Sequence, residues 1–162
     1  MIRYLIMVGF AVSLASQTQP QILGELLPDQ YAIWTDKIML GVADREVIWN
    51  NRPKTWEIEK TKKGYRVRLL LGGGKWKGWY LTYDPSGKRK TVFLSKKPTA
   101  GSYWSLGNIG GPHTASITAK AGKLKDWYLD RGEPVKRKDQ EGKPYTAHRV
   151  VLKEKKGSGA LF

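Results

Sequence analysis

The sequence predicts an all-β chain of twelve short strands in three four-strand units, and three observations carry that expectation. First, Gly78-Trp79-Tyr80-Leu81 returns forty-eight residues later as Asp126-Trp127-Tyr128-Leu129, with a fainter copy at Ile38-Met39-Leu40. The segments that close the units match as well: Trp56-Glu57-Ile58, Trp104-Ser105-Leu106 and Val150-Val151-Leu152. A period of about 40–48 residues marks a repeat architecture. Second, apolar residues alternate with polar ones at a period of two, and no stretch of the expected mature chain holds a helical period. Third, Gly, Pro, Asn and Asp clusters punctuate the apolar runs at short intervals, as an all-β architecture requires.

In chain order, residues 1–15 read as a secretory signal peptide. Arg3 supplies a short positive region, residues 4–15 are mostly apolar, and Ser13-Leu14-Ala15 offers small residues for cleavage. That run is well short of the ~20 apolar residues needed to span a bilayer. Residues 16–30 read as a linker, a Gln-rich tether ending in one apolar turn that Pro28 stops. The domain is expected over 31–156, with 157–162 a C-terminal tail.

The first unit places strands at 31–34, 37–42, 46–49 and 56–59, where Trp56 and Ile58 alternate with Glu57 and Glu59. In the second, Tyr65, Val67, Leu69 and Leu71 share one face and Arg66 and Arg68 the other. Gly72-Gly73-Gly74-Lys75 is a turn; no Gly-Lys-Ser/Thr follows, so it is not a phosphate loop. Strands follow at 79–83, 91–95 and 103–106, with Asp84-Pro85-Ser86-Gly87 forming a type I turn. The third unit opens after Gly110-Gly111-Pro112 with a strand at 115–119, then 127–129, a weak strand at 134–138 in a very polar stretch, and 148–153.

Composition narrows the classes of function. The chain has 162 residues and no cysteine, which excludes thiol nucleophiles, thiolate metal sites and disulfide frameworks. A signal peptide without cysteine points to a secreted or extracytoplasmic location, the bacterial periplasm or exterior. The net charge is +15, and it is uneven: residues 60–100 hold twelve bases and a single acid, Asp84. A field of one sign attracts polyanions. Lys75, Lys77, Lys88, Arg89, Lys90, Lys96 and Lys97 are the expected basic face.

Three units in register resemble a β-trefoil of the ricin-B-like lectin superfamily over roughly residues 30–156. Met39-Leu40, Tyr80-Leu81 and Tyr128-Leu129 stand at the family's Tyr/Leu step, and Trp56 and Trp104 at its Gln-x-Trp step, with Val150 in the third copy. The resemblance implies six hairpins, three forming a barrel and three capping it, and it implies carbohydrate binding. It departs where Lys54 and Ser102 replace the Gln, and where Gly41 and Thr82 replace the sugar-contacting Asp that only Asp130 keeps.

The candidate ligand-binding residues are therefore Asp130, Trp76 and Trp127. An exposed indole can stack on a sugar ring while a neighbouring carboxylate accepts from its hydroxyls. Trp76, between Lys75 and Lys77, is the tryptophan expected to be most exposed, with a fold-back over the barrel end as its alternative. Catalysis is not expected. His113 and His148 belong to no metal or nucleophile pattern, and no facing pair of carboxylates stands out. No cofactor or metal is implied. The leading expectation is a secreted or envelope-associated carbohydrate-binding module. The alternatives are a polyanion-binding module using the basic face, or a trefoil-type protease inhibitor presenting Lys96-Lys97-Pro98. The expected partner is a glycan or acidic polysaccharide, with an anionic envelope surface as a further candidate. The chain has no dedicated nucleic-acid motif, and a monomer is expected.

Overall fold

The computed structural model of the protein describes residues 21–22, 31–35, 38–43, 46–52, 54–71, 74–108 and 115–154. The expected signal peptide, most of the expected linker, His113 and the C-terminal tail lie outside the described residues.

Twelve strands form one antiparallel sheet: β1 Gln21–Ile22, β2 Ile33–Thr35, β3 Ile38–Ala43, β4 Glu46–Asn50, β5 Thr55–Thr61, β6 Gly64–Leu71, β7 Tyr80–Thr82, β8 Phe93–Ser95, β9 Trp104–Asn108, β10 Ala115–Ala119, β11 Tyr128–Lys138 and β12 Pro144–Lys153. The helices among the described residues are three single 3-10 turns, at Gly74–Trp76, Ala100–Ser102 and Gly122–Leu124. The all-β expectation holds.

The trefoil resemblance does not. The ladder runs β4-β12-β11-β10-β9-β6-β7-β8 and closes through β4 and β8, where Glu46 opposes Phe93. The result is a closed eight-strand antiparallel barrel. A trefoil would ring six barrel strands and set three hairpins apart as caps. Here eight strands, in unbroken ladder order from β4 round to β8, make the ring itself. The strands β3, β2 and β1 extend outward from β4, and β5 lies outside the ring on β6. Inside the expected linker, Gln21 and Ile22 pair with Trp34 and Ile33.

The third unit also differs in detail. Its predicted strands at 127–129 and 134–138 are one strand, β11, bent by an irregularity between Arg131 and Pro134. Its partner β12 is likewise longer than the predicted 148–153.

What the repeat does specify is the core. Leu40, Leu81 and Leu129 are fully buried, as are Trp56 and Trp104, and Val150 is nearly so. The indole Nε1 of Trp56 donates to the Leu40 carbonyl at 3.0 Å, and that of Trp104 donates to the Leu81 carbonyl at 3.0 Å. Each buried indole N–H therefore meets its partner on the matching leucine, which avoids the cost of an unpaired buried donor. Alternation also holds on β6. Val67 and Leu69 are buried, while Arg68 and Arg66 pair with Glu57 and Glu59 across the β5–β6 hairpin.

Candidate functional site

The tetrapeptide repeat is part of a longer one. Residues 74–81 read Gly-Lys-Trp-Lys-Gly-Trp-Tyr-Leu, and residues 122–129 read Gly-Lys-Leu-Lys-Asp-Trp-Tyr-Leu. The two copies take the same backbone shape. Each starts from a glycine with positive φ, Gly74 at 51° and Gly122 at 78°. Each has a second left-handed residue four positions on, Gly78 at 83° and Asp126 at 67°.

Four hydrogen bonds repeat as well. Lys77 N–H donates to Gly74 O at 3.1 Å, and Lys125 N–H to Gly122 O at 3.2 Å. Trp79 N–H donates to Trp76 O at 3.1 Å, and Trp127 N–H to Leu124 O at 3.0 Å. Gly78 N–H and Asp126 N–H reach back to Leu69 O and Ala119 O at 2.7 and 2.8 Å. The carbonyls of Trp79 and Trp127 accept from Leu69 N–H and Ala119 N–H, both at 2.9 Å. The left-handed residues turn the chain sharply enough for β7 and β11 to start back along β6 and β10.

Both turns present their lysines to solvent: Lys75, Lys77, Lys123 and Lys125 are all exposed. The second turn gains further cations by packing. Lys123 N–H donates to the Pro85 carbonyl at 2.9 Å, so the 84–90 loop lies against it. That loop is held from within by Asp84, whose carboxylate accepts from Ser86 N–H at 2.9 Å and Arg89 N–H at 3.2 Å. Hydrogen bonds from Ser86 hold the Asp84 carboxyl below the usual carboxylate range. Lys88, Arg89 and Lys90 are exposed on this loop, and the Lys90 ammonium sits 4.9 Å from the Trp127 ring centroid. Tyr83, on the other side, accepts from Ala121 N–H at 2.8 Å, which ties the end of β7 to the start of the second turn. Burial pushes the Tyr83 hydroxyl pKa up.

Among the described residues the ion pairs do not engage the lysines of these turns, although the second turn also carries the exposed carboxylate of Asp126. The carboxylates of Glu57, Glu59, Glu46 and Asp139 are taken by Arg68, Arg66, Arg137 and Arg52, and that of Asp130 by Lys153. Among the described residues, no carboxylate lies within ion-pair distance of Lys75, Lys77, Lys88, Arg89, Lys90, Lys123 or Lys125.

The expected basic face is divided. The β7–β8 hairpin pairs Tyr80 with Ser95 at one end and Thr82 with Phe93 at the other. Lys75, Lys77, Lys96 and Lys97 flank the first end, and Lys88, Arg89 and Lys90 sit beyond the second. Lys123 and Lys125 were not among the expected site residues; the octapeptide match to residues 74–81 is the signal that finds them.

The expected sugar site is not assembled. Trp76 leads into β7, whereas Trp127 and Asp130 lie at the start of β11, with β6, β9 and β10 between them in the ring. Trp76 is half-buried against the core, edge-on to Trp79 at 4.8 Å, with the Lys75 ammonium 4.9 Å from its ring centroid. The fold-back alternative describes it. Trp127 also packs against the core. Both Asp130 carboxylate oxygens are engaged, Oδ1 by Arg131 N–H at 2.6 Å and Oδ2 by Lys153 Nζ at 3.2 Å. His148 Nδ1 lies 3.3 Å from the Gly132 carbonyl oxygen. Among the described residues, no group of three or more His, Cys, Asp or Glu could hold a metal ion.

Comparison with protein families, with curated proteins and with solved structures returns no match for this chain.

Proposed function

We propose that the protein is a non-enzymatic binding module for an acidic polysaccharide, held through its lysine-bearing turns. The observation that carries this reading is the division of labour between cations. Arg66 and Arg68 of the β5–β6 hairpin, Arg137 of β11 and Arg52 are spent on the protein's own carboxylates, and the turn lysines are not. Unpaired lysines suit sulfate and carboxylate groups on a flexible polymer. A lysine ammonium is a point charge that needs no bidentate geometry.

Neutral-sugar stacking is less well supported. The rings of Trp76 and Trp127 each carry a lysine, and Asp130 has no free carboxylate oxygen. An anionic membrane surface is less well supported too, since Phe93 is the one large apolar side chain exposed among the described residues. The protease-inhibitor reading loses its basis with the trefoil resemblance. Secretion or envelope association is part of the proposal and rests on the N-terminal sequence.

The test is retention on immobilised heparin and on a neutral dextran matrix across a salt gradient. Counterion release makes polyanion affinity fall by about 10³ between 50 and 200 mM salt when about six anionic groups of a DNA-like charge density are neutralised. Elution from heparin below about 0.15 M salt overturns the reading, as does equal retention on dextran.

A further inference from the structure

We propose that the turns at residues 74–81 and 122–129 are two equivalent docking points that grip one acidic polysaccharide chain at two places. The inference rests on the polyanion reading above and adds to it the number and location of the contacts.

Its basis is a contrast inside this one chain. Six of the eight turn residues are identical between the copies: Gly, Lys, Lys, Trp, Tyr and Leu. The fold accounts for some of these. The first glycine has positive φ, and the leucine is fully buried in both copies. It does not account for the lysines, which are exposed in both copies and make no ion pair among the described residues. Solubility alone would accept any polar residue there.

The strands that feed the turns show what happens without such a demand. Register pairs Arg68 with Tyr80 and Thr118 with Tyr128, so β6 and β10 align on those residues. On that alignment Arg66, Val67, Arg68 and Leu69 correspond to Ser116, Ile117, Thr118 and Ala119, with no identity. The two arginines of β6 are lost in β10, while both lysines of the turn are kept.

Topology sets the copies apart on one barrel: the first turn leads into β7, and the second lies against the 84–90 loop beyond the other end of the β7–β8 hairpin, so the polymer that joins them runs the length of that hairpin. The strands β6 and β10 are each antiparallel to β9, which lies between them, so they run in the same sense. Both lysine turns follow strands that run in the same sense, but they are staggered: Trp104 of β9 faces Tyr65 at the start of β6 and Ala119 at the end of β10. A polymer bound at one turn meets the other at high effective concentration, so affinity rises without any new kind of contact. Lys75 is also partly ordered by its contact with the Trp76 ring, which lowers the entropy lost on binding.

The chemistry favours a polysaccharide over a nucleic acid. Single-stranded nucleic acid is held largely by bases stacking on exposed aromatic rings, and the aromatic rings of both turns are half-buried.

The experiment is titration calorimetry with heparin fragments of defined length, on the unmodified protein and on Lys75→Gln/Lys77→Gln, Lys123→Gln/Lys125→Gln and the quadruple variant. Thermal melts confirm that each variant folds. A short fragment, a tetrasaccharide, is expected to bind two per protein, and one per protein in either double variant. A long fragment is expected to bind once, with affinity falling more than ten-fold in each double variant and further in the quadruple one. One tetrasaccharide per unmodified protein, or loss in only one of the double variants, overturns the two-point inference and leaves the polyanion reading standing. No heparin binding by the unmodified protein overturns both. Tighter binding of a DNA duplex of matched charge overturns the polysaccharide assignment.

Discussion

A Cβ added at Gly74 would meet nothing within 4 Å, whereas one added at Gly122 would come 2.1 Å from the Pro85 carbonyl oxygen. The two turns share a backbone and differ in what surrounds it. The first carries its own aromatic at the third position, Trp76, with Lys75 over it. The second has a buried leucine there, Leu124, and takes its ring-covering cation, Lys90, from the 84–90 loop. The same turn can thus be built free-standing or pinned beneath a neighbouring loop. What both versions keep is the left-handed geometry, the aromatic pair that follows and the exposed lysines.

The core under the turns is where the two copies should be most alike. Leu81 and Leu129 are both fully buried, and each follows the same Trp-Tyr pair. Replacing either by alanine removes buried methyl groups and leaves a cavity, which costs about 2–5 kcal/mol. Urea denaturation of Leu81→Ala and Leu129→Ala should give losses in that range that agree within about 1 kcal/mol. A marginal loss in one of them would mean that the repeat equivalence stops at the backbone.

The surroundings of the first glycine should then separate the copies. Alanine at positive φ costs about 1–2 kcal/mol at either position. At Gly122 the new methyl also collides with backbone, which cannot swing aside as a side chain could. Overpacking of that kind adds about 1–3 kcal/mol. Gly122→Ala should therefore destabilise more than Gly74→Ala by about that added amount, measured by the same denaturation. Equal losses would show that the 84–90 loop yields at little cost.

The second left-handed position offers a smaller test of opposite sign. Asp126 holds φ at 67°, where aspartate is tolerated better than most residues but glycine is unstrained. Asp126→Gly should stabilise by about 0.5–1 kcal/mol, and Gly78→Asp should destabilise by a similar amount. A loss of stability in Asp126→Gly would point to a carboxylate contact that matters more than the backbone strain.

These contrasts bear on what the sequence could disclose. Leu40, Leu81, Leu129, Trp56 and Trp104 were legible because burial and the repeated indole bond are local to each unit. Closure was not legible, because alternation marks a strand without naming its neighbour. The joins that make the ring, Glu46 to Phe93 and His148 to Trp49, connect distant parts of the chain through few pairs. The long β11–β12 arm escaped for a different reason. Its outer residues are mostly polar, so the sequence marks 134–138 only as a weak strand and 144–147 not at all, and cross-strand pairing with β12 holds them extended. For the site, Trp76 drew attention as an aromatic between lysines, although its ring folds back onto the core. The lysines beside it, matched by Lys123 and Lys125, were the part facing solvent.

The least disruptive test uses acid to loosen the loop that pins the second turn. Asp84 accepts from the backbone N–H groups of Ser86 and Arg89, and its folded pKa is lowered chiefly by hydrogen bonding from Ser86. A carboxyl with a depressed folded pKa contributes stability that is fully present above its unfolded pKa, about 3.9. That contribution is lost as pH falls through the folded value. The amide resonances of Ser86 and Arg89 should therefore hold steady through neutral pH and shift only below about pH 4, with Lys123, which donates to Pro85 on the same loop, following them. The amides of Lys77 and Gly78 in the first turn donate to Gly74 and Leu69 carbonyls, so they should stay unmoved over the same range. Asp84→Asn should flatten the acid response of the loop at once. If Lys77 and Gly78 titrate together with Ser86, or if the asparagine variant still titrates, Asp84 is not what sets the second turn apart from the first.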